Sequence, residues 1–251
     1  MKVSFNELQA VSRKAFMGIG FSEGHAEDAA DMVTWMESYD LHGLDALNKG
    51  LEHLIADNPA TLPTIVYQDG DVAVVNGQDL SVLRSCNLAL ELAFAKGRAR
   101  GLSVIKIQRC RQRQLIMGYL ARLAGRGMNL TAFWRNAQQP LTEQVVGFRA
   151  NSTAPSIRVY SVEEVPEENE PNNGITIIMA NHVDLLPTMR SDYRYDLLAK
   201  HEEADLLAAR ERAITNGIEV DDVVWEQLHK LAQATLVESF DVSHLGAGPA
   251  D

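Results

Sequence analysis

Apolar residues in the first sixty positions recur at helical spacing. The first helix is predicted to begin near Phe5, where Ser4 can act as N-cap and Glu7 can complete a capping box. A second helix is predicted after Ser22, and Gly43 is its expected stop signal. Its apolar stripe consists of Ala26, Ala29, Met32, Val33 and Met36. The stretch "ALNKGLEHLIAD" predicts one further short helix.

From Thr64 the pattern changes. "TIVYQDGDVAVVNG" predicts two short strands around Asp69–Gly70, with Asn76–Gly77 as the next turn. A long amphipathic helix is predicted for "LSVLRSCNLALELAFAKGRARG" and a shorter helix for "LIMGYLARLAG". Strands are predicted for "LSVIKI", which lies between the two helices, and for "NLTAFWRN", which follows the second. This alternation of strands and helices predicts an α/β layer.

The chain divides into three predicted parts. Residues 1–60 form an N-terminal helical part, and residues 61–190 form an α/β core that ends with the strand "ITIIMA". Residues 191–251 are predicted as a C-terminal helical part, helical from about Asp192 to Glu238, that packs back on the N-terminal helices. Both termini are therefore expected to build one helical subdomain.

Composition narrows the class of protein. A net charge of −11 over 251 residues argues against general nucleic-acid binding. Two cysteines, Cys86 and Cys110, cannot build a disulfide framework. The N-terminus is charged and amphipathic, unlike a signal peptide, and no apolar run approaches the roughly 20 residues that cross a bilayer. We expect a cytoplasmic protein without a membrane or nucleic-acid partner.

The charge is unevenly distributed. No Asp or Glu occurs between Leu92 and Thr142, whereas the flanks are acidic, most densely over residues 163–170. The basic side chains of the window are Lys96, Arg98, Arg100, Lys106, Arg109, Arg111, Arg113, Arg122, Arg126 and Arg135. The two charge types could attract each other within one fold or across a dimer, or the basic window could bind an anion.

Two blocks of the sequence carry a resemblance to a known family. "GFSEGHAEDAADMVTWMESYDLHGLDAL" and "VVNGQDLSVLRSCNLALELAFAKGRARGLSVIKIQRCRQRQLIMGYLARLAGRGMNLTAFWRN" resemble the NAD(P)-dependent malate/L-lactate dehydrogenase family, which includes sulfolactate and ureidoglycolate dehydrogenases. They span roughly residues 20–136. The resemblance implies an α/β fold with a mixed-sheet core, a helical subdomain and a homodimer.

A closer resemblance is to an uncharacterised bacterial domain-of-unknown-function family. It shares "NELQAVSRKAFMGIG", "AEDAADMVTWM" and a tail like "SHLGAG". That family has no established activity, so this resemblance implies ancestry rather than function.

The first dehydrogenase motif is only partly kept. The family's block ends in Asp-Ser-His-Gly, and Asp40, His42 and Gly43 keep their places while Leu41 replaces the serine. Four residues after the histidine the family has a substrate-clamping arginine, where this chain has Ala46. Eight residues after the histidine it has a tyrosine, where this chain has Gly50. A 2-oxo or 2-hydroxy acid needs a cation to hold its carboxylate.

The second motif, Asn-Ser-x-His-x-Gly, is changed as well. When Tyr119 and Gly127 are aligned with the family, Gln112 falls on the histidine and Gln114 on the glycine that lets the backbone approach the cofactor. Glutamine cannot exchange a proton near neutral pH. The resemblance also implies a cofactor-contacting segment of pattern Gly-Thr-Asn-Pro, whose counterpart is "VGFRANSTAPS" with Gly147 and Asn151.

Two candidate sites remain. His42 is either a structural histidine in the last turn of a helix or a retained ligand contact that could act as catalytic acid. Arg109, Arg111 and Arg113, together with Gln112, either bind a small anion at a strand-to-helix joint or pair with the acidic residues 163–170. Cys110 lies between arginines but has no partner base, which favours an unreactive thiol.

No metal site is predicted. His182 and Asp184 follow a strand, but no third ligand has a recognisable spacing. The sequence has no Walker motif, GxSxG or HExxH, and its tryptophans fit core or interface positions.

These observations predict a degenerate dehydrogenase-like protein. We expect it to lack standard hydride transfer, to need no cofactor, to bind a small anion or a protein partner and to form a homodimer. The first alternative is an active NAD(P)-dependent oxidoreductase with a rebuilt site. The second is a structural subunit of a larger complex.

Overall fold

A computed structural model describes residues 1–136, 140–162, 174–181 and 196–234. It begins with helices α1 (Phe5–Gly18), α2 (Glu23–Ser38), α3 (Gly43–Asn48) and α4 (Leu51–Ala56). The Ser4 hydroxyl caps α1 by accepting a hydrogen bond from the Glu7 N–H at 3.2 Å. The predicted stop of α2 at Gly43 is wrong, because α2 ends at Ser38 and Gly43 begins α3. The predicted single short helix is two helices, divided at Lys49 and Gly50.

The core is an eight-stranded mixed sheet. In spatial order its strands are β2 (Thr64–Gln68), β3 (Val72–Ser81), β4 (Leu102–Arg111), β8 (Ile175–Ala180), β5 (Asn129–Arg135), β6 (Thr142–Phe148), β7 (Ser156–Ser161) and β9 (Leu197–His201). Within the described residues, β3 and β4 form the one parallel pair of this sheet, and α5 (Val82–Arg100) connects these two strands. After β4 a 3-10 turn at Arg113–Ile116 leads into α6 (Met117–Gly125). The predicted α/β fold is confirmed.

Two strand predictions need correction. Asn76–Gly77 is not a turn, because β3 continues to Ser81 through a shift of register between Asn76 and Leu80. The shift places Gln78 and Asp79 at positive φ and carries the chain past Gly77, where a Cβ would meet the Arg109 carbonyl oxygen at 2.8 Å. The segment predicted as helical from Asp192 contains β9, which pairs with β7 at the edge of the sheet.

The two ends of the described chain meet. After α7 (Glu203–Asn216), the strand β10 (Ile218–Glu219) pairs with β1 (Lys2–Val3), and α8 (Asp222–Gln233) packs against α1. The contact of α8 with α1 is close, since a Cβ on Gly18 would lie 2.1 Å from the Leu231 carbonyl oxygen. Most buried apolar residues of these helices and of the large sheet form one core, and Val145 of β6 with Tyr160 of β7 forms a second, small cluster.

Within the described ranges, no helix is both long enough and apolar enough to span a membrane.

Candidate functional site

The two segments that carry the dehydrogenase motifs meet where α3 faces the end of β4. Gln112 follows β4 with a left-handed backbone (φ +53°), and its Nε2 donates hydrogen bonds to the carbonyl oxygens of Leu47 at 3.1 Å and Ala46 at 3.3 Å. Its side chain lies against Gly50, where a Cβ would be 2.5 Å from Gln112 Cδ. The glutamine that replaces the family's histidine therefore fills the space in front of Gly50 and is held there by main-chain carbonyls.

His42 is exposed and occupies the N-cap position of α3 with φ of +51°. The interpretation that it lies in the last turn of a helix is wrong, because the chain leaves α2 at Ser38 and reverses through Asp40, also at positive φ. His42 makes no capping bond to α3.

Glu37, in the last turn of α2, caps α3 instead by accepting a hydrogen bond from the Leu44 N–H at 2.7 Å. Burial raises the pKa of Glu37, and this is opposed by the bond from Leu44 and by the nearby His42. Sequence reasoning missed Glu37; the available signal was a carboxylate in the last helical turn, where the helix dipole disfavours it. Glu37 therefore caps α3 and is near enough to His42 for the imidazole to affect the Glu37 pKa.

The arginines near the end of β4 already have partners. Arg109 forms an ion pair with Asp79, and Arg111 forms one with Asp57. The guanidinium of Arg113 donates a hydrogen bond to the Cys110 carbonyl oxygen at 2.9 Å. The acidic residues 163–170, the partners considered from sequence, lie outside the described residues. The aspartates that neutralise Arg109 and Arg111 come from other elements of the same fold.

Asp57 is the least exposed acid of these pairs, with 5% of its side chain accessible. It also accepts a hydrogen bond from the Ser81 N–H, at the start of α5, at 3.4 Å. Asp57 is close enough to Arg84 for its charge to oppose the lowering of the Arg84 pKa by burial. One carboxylate therefore serves two arginines and a helix N-terminus.

Other arginines of the basic window are paired within the fold too. The pairs are Arg100 with Asp71, Arg122 with Asp28, Arg126 with Glu91 and Arg135 with Glu143. Of the three explanations for the uneven charge, attraction within one fold accounts for these residues.

Cys86 and Cys110 are buried. Burial raises the pKa of Cys110 to about 12 and raises that of Cys86 further. Neither thiol is ionised near neutral pH, in keeping with the expectation of an unreactive Cys110.

No group of three potential metal ligands occurs within the part of the chain that the structure describes. His182 and Asp184 lie outside it.

The candidate cofactor segment lies beside α6. Gly147 is in β6, and Asn151, at φ of +65°, donates its N–H to the Ala124 carbonyl oxygen near the end of α6 at 2.8 Å. Two residues on, Thr153 lines a cavity of about 340 Å³ between α2, α6 and α7. Asp31, Trp35 and Arg210 also line this cavity. Sequence reasoning missed it because its walls come from distant parts of the chain.

The fold places the chain in a recognisable structural class. Over 94% of this chain and 96% of the other, it is similar to malate dehydrogenase from Pyrococcus horikoshii OT3, with a TM-score of 0.67 and 12% identity. The similarity to malate dehydrogenase from Entamoeba histolytica covers 96% of this chain and 99% of the other, with a TM-score of 0.66 and 10% identity. The similarity to sulfolactate dehydrogenase from Methanocaldococcus jannaschii covers 93% of this chain and 97% of the other, with a TM-score of 0.61 and 14% identity. The chain therefore has a malate/L-lactate-dehydrogenase-like fold.

The sequence match is narrower. Residues 3–88 match the model of a family described as a protein of unknown function (DUF3726), which confirms the predicted resemblance to a family without established activity. The chain has no sequence match among curated proteins.

Proposed function

We propose that this protein is a small-ligand-binding protein that retains a dehydrogenase-like fold without standard hydride-transfer chemistry. The position of Gln112 carries the proposal. Its amide is bonded to the carbonyls of Ala46 and Leu47 and fills the space in front of Gly50. An amide cannot act as an acid or base near neutral pH, so a proton cannot be exchanged with a substrate here.

The charges around this position support the same proposal. Ala46 offers no guanidinium to a substrate carboxylate, and Arg109 and Arg111 are already paired with Asp79 and Asp57. An incoming carboxylate would have to displace one of these aspartates, or replace the Cys110 carbonyl as the hydrogen-bond acceptor of Arg113. We therefore place the binding of a small anion at a different surface from the motif segments.

One feature favours the alternative, an NAD(P)-dependent oxidoreductase with a rebuilt site. His42 is exposed, and its imidazole is near enough to the half-buried Glu37 to lower the pKa of that carboxyl; an accessible imidazole can serve in acid–base catalysis. In that case His42 would be the catalytic acid.

A turnover assay separates the two functions. Purified protein is incubated with malate, lactate or sulfolactate and either NAD or NADP, and nicotinamide reduction is followed by absorbance. We expect no turnover above the protein-free control. Turnover that disappears in a His42→Ala variant and persists in a His25→Ala variant, which alters another exposed histidine, would establish the alternative.

A further inference from the structure

The cavity between α2, α6 and α7 has an ordered wall on α2. Asp31 and Trp35 line it, and Tyr39, the C-cap residue that follows α2, binds Arg210, which also lines the cavity. These three residues are four apart, so they lie on one face of α2 over two turns. Eight residues of helix rise about 12 Å, which separates the acidic end of this wall from the end at Tyr39.

Arg210 supplies a positive charge at the Tyr39 end. It donates a hydrogen bond to the Tyr39 hydroxyl at 3.1 Å, and its guanidinium carbon lies 5.4 Å from the centre of the Tyr39 ring. Among the residues that the structure describes, no carboxylate pairs with Arg210. Arg210 is partly buried and also borders a second cavity of about 230 Å³.

Asp31 supplies a negative charge at the other end. Its carboxylate accepts a hydrogen bond from the Gln9 amide, and no cation in the described ranges forms an ion pair with it. Arg122 is near enough to lower the pKa of Asp31, but it is committed to Asp28 and stacks on Tyr119 with its guanidinium carbon 4.0 Å from the ring centre. Burial dominates, so the pKa of Asp31 is raised overall.

An apolar surface joins the two charged ends. Trp35 is held in place by rings on either side, with centroid distances of 4.6 Å to Tyr39 and 6.0 Å to Phe148. Gly118 lets α6 approach α2 closely beside the cavity, because a Cβ there would lie 2.5 Å from the Met32 Cα. Asp31 and Arg210 thus line one cavity, and neither has an ion-pair partner among the described residues, whereas the other two charged lining residues, Arg122 and Asp28, pair with each other. Partly buried charges without partners are costly, and a bound molecule that pairs with both removes that cost.

We propose that this cavity binds an elongated amphipathic zwitterion, with an anionic end at Arg210, an apolar middle on Trp35 and a cationic end at Asp31. The assignment rests on the proposed binding function and names its ligand class. It makes Arg210 and Asp31 the residues that set specificity, each for one end of the molecule.

Calorimetric titration with a matched set of probes tests the assignment. The probes are ω-aminooctanoate, which carries both charges at the required separation; octanoate and octylamine, which carry one charge each; and ω-aminobutyrate, which is too short to reach both residues. We expect ω-aminooctanoate to bind at least about tenfold more tightly than any of the other three, because only it makes both charge-assisted contacts.

Variants assign each end of the ligand. Arg210→Gln should weaken binding of ω-aminooctanoate and octanoate by about tenfold and leave octylamine unaffected. Asp31→Asn should weaken the binding of ω-aminooctanoate and octylamine and leave the binding of octanoate unchanged. Arg212→Gln removes an exposed arginine of the same helix outside the cavity lining and should change none of them. Thermal unfolding of each variant confirms that it is folded.

Three results would overturn the assignment: no saturable binding of ω-aminooctanoate, equal affinity for ω-aminobutyrate, or unchanged affinity in folded Arg210→Gln protein. The turnover assay is independent of all three. A catalytically active protein would refute the proposed function while leaving the ligand class to be decided by the titrations.

Discussion

The side-chain amide of Gln112 lies directly against the α-carbon of Gly50, so closely that a Cβ at position 50 would be 2.5 Å from Gln112 Cδ. The resemblance implies a histidine at position 112 and a tyrosine at position 50, and both are replaced here. The contact shows that the two replacements are sterically compatible with each other. The glutamine occupies space that any side chain at position 50 would need.

This contact predicts a non-additive pair of substitutions. Gly50→Ala should lower the free energy of unfolding by about 1–3 kcal/mol, because the new methyl group displaces the Gln112 amide from its carbonyl partners. In a Gln112→Ala background the same change should be neutral or slightly stabilising, since the backbone φ of Gly50 is −119° and suits alanine. Urea unfolding of the four proteins measures the coupling, and additive effects would contradict the contact.

Asp57 is expected to be important for stability. Asp57→Ala should lower the free energy of unfolding by about 2–4 kcal/mol, because it removes the counter-ion of Arg111 and a negative charge near Arg84. Asp79→Asn is the control: it removes the charge that pairs with Arg109, a pair half exposed on both sides, keeps a residue that tolerates the positive φ at this position, and should lower stability much less. Chemical denaturation of both variants provides the comparison. Equal losses would mean that burial of the Asp57 carboxylate is energetically unimportant.

The buried thiols predict a loss of stability at alkaline pH. In the folded protein burial raises the pKa of both cysteines, that of Cys110 to about 12, whereas an unfolded thiol has a pKa of about 8.5. The two thiols therefore make their full contribution to the free energy of unfolding below about pH 8.5. This contribution is lost as the pH rises towards the pKa values of the folded protein. The loss approaches about 1.4 kcal/mol per pH unit for each thiol above the unfolded pKa.

Denaturant unfolding between about pH 8.5 and 10, below the usual tyrosine pKa, measures this slope. Cys86→Ala and Cys110→Ala should each reduce it by the share of one thiol. A slope that is unchanged in the double variant would show that other groups cause it.

We further predict a homodimer that forms through the helical parts. Ile214 of α7 and Val223 of α8 are 68% and 64% exposed, which leaves apolar surface on both C-terminal helices for a second copy to cover. Light scattering at micromolar concentration should give twice the chain mass. The double variant Ile214→Lys, Val223→Lys should shift the measured mass towards that of the monomer, and Val66→Lys on β2 should leave it unchanged. A monomeric wild type would refute the prediction, and a dimer lost only in Val66→Lys would place the interface on the sheet edge.

Local sequence patterns were sufficient for several elements. The cap at Ser4 and the apolar repeat fixed α1, and the long amphipathic stretch after Ser81 fixed α5. The same patterns failed at β9, a short edge strand whose residues are mostly exposed and whose only specification is its pairing with β7. Periodicity reports which face of an element is buried, so an element with no buried face carries little signal.

The sequence by itself determined which chemical groups are present: a glutamine and an alanine where the resemblance implies a histidine and an arginine, and a basic window without acids. Only the tertiary structure decided what those groups touch. Gln112 meets Leu47, Arg111 meets Asp57 and Arg210 meets Tyr39 across separations of 65, 54 and 171 residues. Contacts over such separations depend on how the helices and the sheet pack, and local propensity carries no information about them.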